Sequence, residues 1–199
     1  MARLTEKNVL LIIPSDYYNE GEFDTIKEIL EKEEAKILVA SNKFKTSIGM
    51  KNGSTMPDVM VVDAMEGITG DSYVTAGKGT RQVLGVYHGV ILIGGTGARL
   101  YMWKEELVRL LITDRYRCGF VVAATSTAIP CLVKAQLVTN MEVSAPDDKK
   151  TLKELEKDNV PIASEDFTSV ERVLTLRGKE AVQPFMESFI TEVAKTARK

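Results

Sequence analysis

The chain alternates short apolar runs with longer stretches in which apolar residues recur at helical spacing. Val9 to Pro14 (VLLIIP) is unbroken, the pattern of a strand buried on both faces of a parallel sheet. Phe23, Ile26, Ile29 and Leu30 then recur every three or four positions with charges between them, which predicts an amphipathic helix. Lys36 to Ala40 (KILVA) reads as the next strand. Strand, helix, strand is the unit that joins parallel neighbours.

Asn42 to Thr80 is the least regular stretch, with Gly49, Gly53, Gly67, Gly70, Gly77 and Gly79. A strand at Val59 to Asp63 and short hairpins are predicted there. From Gly89 the pattern is clear again. Val90 to Ile93 is a strand, Gly94-Gly95-Thr96-Gly97 a loop, and Met102 to Asp114 a helix. Phe120 to Thr125 is a buried strand, Thr127 to Val138 a helix, and Glu142-Val143-Ser144 a short strand. A polar helix is expected at Lys149 to Lys157, a strand at Arg172 to Leu176, and an amphipathic helix at Lys179 to Thr196.

This order predicts an α/β fold across residues 1–199 as a single domain: a doubly wound, mostly parallel, flavodoxin-like sheet with helices on both faces. Such sheets place ligands outside the carboxyl ends of their strands. Chemistry is therefore expected just after Pro14, Ile93 and Thr125.

Composition narrows the function classes. The 26 Lys and Arg against 28 Asp and Glu give a net charge of -2, which lacks the positive field of a nucleic-acid binder. The first apolar run is too short for a signal-peptide core or a membrane span. Cys118 and Cys131 have no metal or redox spacing, and a reduced, cytoplasmic setting is the simplest expectation. No metal and no cofactor is expected.

Between the buried strand and the following helix stands Ala124-Thr125-Ser126-Thr127-Ala128. Small residues two before and two after a hydroxyl are what a tight nucleophile elbow requires. The helix that follows would aim its free N–H groups at whatever sits on Ser126. The competing reading is that Ser126 or Thr127 merely caps that helix, since capping hydroxyls are the commoner use.

Gly119-Phe120-Val121-Val122-Ala123-Ala124-Thr125-Ser126-Thr127, with Ile91-Leu92-Ile93-Gly94-Gly95 upstream, resembles the ThiJ/PfpI family of the class I glutamine amidotransferase-like fold. Glu22 to Ile26 leading into Lys36 to Ser41, and Leu174 to Gly178 before the final helix, are similar to the family's frame as well. The resemblance implies an elbow nucleophile, a supporting acid at Glu22, and oxyanion donors in the backbone N–H groups of Gly95 and Thr127. Gly94 shapes the same loop. It also implies homo-oligomers, dimers or larger.

The family's elbow residue is usually cysteine, often followed by histidine; the matching positions here are Ser126 and Thr127. Pro130 falls one place later than the family's usual proline, so a register with Thr127 at the elbow stays open. The spacing to Gly95 and to Lys134-Ala135 favours Ser126. A thiol near pKa 8.5 needs only a modest shift to ionise, whereas a serine hydroxyl needs an adjacent base. His88, the only histidine, precedes its strand and is expected at the opposite end of the sheet. Glu22 is then the candidate base if burial raises its pKa.

Gly95-Thr96-Gly97 is an incomplete dinucleotide fingerprint, with Leu100 in place of the third glycine, and Gly77-Lys78-Gly79-Thr80 departs from a P-loop. Arg99 is a candidate anion contact at the pocket mouth, or a solvated surface arginine. Tyr17, Tyr18 and Trp103 are expected at the pocket edge. Two functions compete: a protein that has lost cysteine chemistry and binds a small molecule, peptide or partner at the retained pocket, or a peptidase-like or deglycase-like hydrolase or lyase using Ser126 with Glu22. An assembly role is the third.

Overall fold

The computed structural model describes residues 2–66 and 86–197; Gly67, Gly70 and the Gly77-Lys78-Gly79-Thr80 stretch lie outside the described residues. Strand β1 (Asn8–Ile12) is followed by β2 (Asp16–Tyr18), helix α1 (Glu20–Lys32) and β3 (Lys36–Ser41). Then come β4 (Ser47–Gly49), β5 (Ser54–Thr55), β6 (Val59–Met60) and α2 (Val61–Glu66). Strand β7 (Gly89–Leu92) leads to α3 (Ala98–Tyr101) and α4 (Glu106–Arg117). Strand β8 (Val121–Thr125) runs through a 3-10 turn, Ser126–Ala128, into α5 (Ile129–Lys134). The chain closes with α6 (Lys149–Lys157), β9 (Phe167–Val170), β10 (Val173–Leu176), a second 3-10 turn, Lys179–Ala181, and α7 (Val182–Lys195).

The main sheet has the order β6-β3-β1-β7-β8-β10-β9. Its strands pair in parallel, apart from β9, which is antiparallel to β10. Chain order runs outward from β1 through β3 to β6, then returns to β7 and continues the other way. The switch point therefore falls between β1 and β7, where open sheets leave a crevice.

Alternation along each strand divides the core in two. Val9, Leu11, Ile91, Ile93, Val121 and Ala123 face α1 and α7, meeting Phe23, Ile26, Phe185 and Phe189. Leu10, Ile12, Val90, Leu92, Val122 and Ala124 face the other way, onto Val108, Ile112, Ile129 and Leu132. Both faces of each central strand are covered, which is why these runs read as continuous apolar stretches.

Several boundaries differ from the sequence expectation. The strand expected over Val59–Asp63 stops at Met60, and Val61–Glu66 is helical with Val61 and Ala64 buried one turn apart. The helix expected over Met102–Asp114 begins only at Glu106, as the second of two helices, and the first, Ala98–Tyr101, lies ahead of the expected range. Glu105 starts the second by accepting from the Leu107 amide at 3.4 Å. The helix after the elbow ends at Lys134, and Gln136 turns the chain with φ 57°. Of the strand expected at Glu142–Ser144 a single bridge remains, Val143 with Ile162. The short β2 and edge strand β9 lie in segments for which no strand is predicted. Beside the main sheet, β2, β4 and β5 form a three-stranded one, whose β4–β5 turn is a hairpin of the kind expected there.

Candidate functional site

Strand β8 ends in a buried threonine, and the chain then turns sharply enough to hold Ser126 at φ 40°. A non-glycine residue in the left-handed region costs on the order of 1–3 kcal/mol and persists only where surrounding contacts fix it. Those contacts come from Glu22, on the first turn of α1. Its Oε2 accepts from the Thr125 hydroxyl at 2.5 Å and from the Ser126 hydroxyl at 3.1 Å. Ser126 and Glu22 are both buried, at 7% and 1% exposure.

Burial dominates the electrostatics of Glu22 and pushes its pKa up to about 7, helped by the charge of Glu180; the bonds from Thr125 and Ser126 pull the other way. The carboxyl is thus poised to change charge near neutrality while it touches the elbow hydroxyl.

The loop after β7 forms the opposite wall. Gly94 must be glycine, because a Cβ there would run into Ser126 Oγ and lie 2.6 Å from the Thr125 carbonyl oxygen. The next residue, Gly95, sits at φ 126°, where a Cβ would strike the backbone of Tyr17 and Tyr18. Three crossing bonds fix this wall to its neighbours. The Gly94 N–H donates to Thr125 Oγ1 at 2.9 Å, and the Asn19 N–H donates to the Gly94 carbonyl at 2.8 Å. The Gly95 N–H donates to Thr127 Oγ1 at 2.9 Å. The Thr127 hydroxyl in turn donates to the Gly95 carbonyl at 2.7 Å, and the Trp103 indole N–H donates to the Thr127 carbonyl at 2.7 Å.

Ser126, Glu22, Gly94, Gly95 and Thr127 therefore converge at the carboxyl ends of β7 and β8, beside the switch point. Neither elbow hydroxyl caps the helix that follows: no side-chain bond closes the start of the 3-10 turn or of α5. Arg99 stands apart. Among the described residues no hydrogen bond or ion pair joins it to the elbow, and its electrostatic influence falls on Asp148. Burial would raise the Asp148 pKa, but bonds from Thr151, aided by Arg99, hold it below the ordinary value. His88 lies at the amino end of β7, where Nδ1 accepts from the Asn8 amide at 3.0 Å. Cys131 is buried in α5, with its thiol pushed up to about 12 by burial. Of the aromatic residues, Tyr17 is exposed, whereas Tyr18 is buried with its hydroxyl 2.8 Å from Thr55 Oγ1.

Two threonine roles escaped the sequence reading. Thr125 looked like the last residue of a buried strand, yet its hydroxyl links Gly94 to Glu22. Thr127 was read for its backbone, yet its side chain occupies the Gly95 peptide group. A hydroxyl on each side of Ser126 was the available signal.

A doubly wound sheet with a strained hydroxyl elbow over a buried carboxyl, walled by a diglycine loop, defines the class: flavodoxin-like α/β proteins with a tight strand-to-helix elbow. More particularly, the chain belongs to the DJ-1/PfpI family, which it matches over residues 7–192. Its fold is similar to that of a ThiJ/PfpI domain protein from Brachyspira murdochii, at 18% identity and a TM-score of 0.78, covering 98% of this chain and 99% of that one. Drosophila melanogaster DJ-1beta shares the fold at 20% identity and a TM-score of 0.70, covering 96% and 91%. Oxidized Toxoplasma gondii DJ-1 does so at 14% identity and 0.68, covering 94% of each chain. No curated protein matches the sequence. Among the described residues no helix is long and apolar enough to cross a membrane.

Proposed function

We propose that this DJ-1/PfpI-family chain has Ser126 where the family's nucleophile stands, has lost the family's cysteine chemistry, and binds a small molecule, peptide or partner at the elbow. One observation carries the reading: the Gly95 N–H, which an acyl-transfer site would leave free for an oxyanion, is bonded to the Thr127 hydroxyl at 2.9 Å. Serine is a weak nucleophile without a matched base, and the only histidine lies at the other end of the sheet. Serine also has no place on the thiol oxidation ladder. The absence of Ser126-dependent turnover tests this. Glyoxal-type dicarbonyls and peptides incubated with the wild type and Ser126→Ala should be consumed equally slowly. Turnover that disappears in Ser126→Ala would overturn it.

A second reading, a peptidase-like or deglycase-like hydrolase or lyase, is favoured by one feature: the Glu22 carboxyl, pKa about 7, contacts the Ser126 hydroxyl. It requires the turnover that the first reading denies.

Assembly as a homo-oligomer, a dimer or larger, is proposed as well. Supporting it, Tyr17, Ile48, Met50 and Met56 are exposed on or beside the three-stranded sheet, and apolar surface of this kind marks contact sites. A reduced cytoplasmic setting suits the free Cys118 and Cys131. The net charge of -2 and the membrane observation above support a reading without nucleic-acid or membrane partners.

A further inference from the structure

We propose that Thr127 sets ligand selectivity at the elbow: its hydroxyl locks the Gly95 peptide group and so excludes oxyanions and carboxylates from the site. This rests on the reading of the elbow as the ligand site and adds the chemical class it rejects.

Thr127 Oγ1 accepts from the Gly95 N–H at 2.9 Å and donates to the Gly95 carbonyl at 2.7 Å. One side chain thus satisfies both polar groups of one peptide residue. The neighbouring Gly94 N–H is taken by Thr125 Oγ1 in the same way. What remains next to Ser126 is rich in acceptors: the Gly95 carbonyl and the Glu22 carboxyl. An oxyanion entering here would find both loop N–H groups engaged, which leaves it only the Thr127 N–H of the expected donor pair, and losing a donor to a desolvated anion is costly. A neutral ligand carrying a hydroxyl or amide can instead donate to these acceptors.

The lock is held in place and can be reached. The Trp103 indole N–H fixes the Thr127 carbonyl at 2.7 Å, which holds the main chain in the orientation that aims the hydroxyl at Gly95. That makes Trp103 a positioning residue. Met102 to Glu105, the start of the helix expected there, lies instead between α3 and α4, and Trp103 makes this contact from that connection. Thr127 itself is half-buried rather than enclosed, so the space its hydroxyl vacates would be accessible from solvent.

Trp103 is the only tryptophan in the chain, so its fluorescence reports on the elbow without labelling. The test titrates sodium formate into the wild type, Thr127→Ser and Thr127→Ala at pH 6, where Glu22 carries its proton. It reads Trp103 emission and the amide resonance of Gly95. Thr127→Ala should bind formate about tenfold or more tightly than wild type, the scale of one hydrogen bond to an ion, with the Gly95 resonance moving on saturation. Wild type and Thr127→Ser should respond weakly and alike. Equal formate affinity in all three proteins would overturn the proposal. Hydrogen exchange of the Gly95 amide in wild type provides a check that needs no variant: the lock requires protection, and exchange at the rate of a free loop amide would overturn it. Formate affinity and Ser126-dependent turnover are separate measurements, so equal formate affinity in all three proteins overturns this inference and leaves the turnover reading standing, whereas an unprotected Gly95 amide would remove the contact on which both rest.

Discussion

At the scale of single residues, the site is a carboxyl with two hydroxyls bonded to one of its oxygens. The protonation of Glu22 is coupled to folding. Its pKa rises from the ordinary 4.5 to about 7 on folding, chiefly through burial, so the folded state holds a proton that the unfolded chain releases between those values. Stability then falls as pH rises from 4.5 through 7, and the ionised form is less stable by at most roughly 3 kcal/mol. Glu22→Gln keeps an acceptor for Ser126 and Thr125 but cannot ionise. Urea unfolding at pH 5.5 and pH 8 should therefore show a wild-type loss that is largely absent in Glu22→Gln; an equal loss in both would place the pH dependence elsewhere. Ser126 was legible from the small residues on either side of it, and Glu22, Gly94 and Gly95 through the resemblance to the ThiJ/PfpI family. Thr125 and Thr127 were less so, since a threonine at a strand end reads as ordinary packing until its hydroxyl has a direction.

Elements bring these residues together, and the junction of β2 with α1 does most to aim Glu22. Asn19 caps α1 by accepting from the Glu22 amide at 3.3 Å, while its own N–H donates to the Gly94 carbonyl at 2.8 Å. Asn19→Ala should cost about 1 kcal/mol, as loss of an N-cap does, measured by denaturant midpoint. The same variant should disturb the amide resonances of Gly94 and Ser126; a midpoint shift with both resonances unmoved would make the cap purely structural. The long elements were readable because β1, β3, β7 and β8 have apolar interiors, and α1 and α7 are periodic. The failures share a cause. Val59–Glu66 is an apolar stretch compatible with either strand or helix, and length settles that ambiguity poorly. The expected start at Met102 is four residues early, because Met102 and Trp103 continue the apolar spacing of α4 and only a tertiary contact such as that of Trp103 with Thr127 marks them as lying outside it. Strands β2 and β9 are short or half exposed and have no strong pattern.

For the whole molecule, the sheet order places the ends of β1, β7 and β8 around one crevice, and the described part of the domain serves to hold that geometry. The exposed apolar residues of the small sheet lie on the flank of the same end, because β2 leads directly into α1. Light scattering should give a mass of two chains or more, and Ile48→Asp should lower it; a monomer at all concentrations would remove the assembly proposal. Whether the elbow binds or reacts is tested most directly by intact-mass analysis after exposure to a fluorophosphonate between pH 6 and pH 9. No adduct on Ser126 is expected, since the residue is only 7% exposed, lacks a histidine partner and faces a loop amide already bonded to Thr127. A stoichiometric adduct on Ser126 that vanishes in Glu22→Gln would contradict the binding reading and make the chain a serine-dependent enzyme.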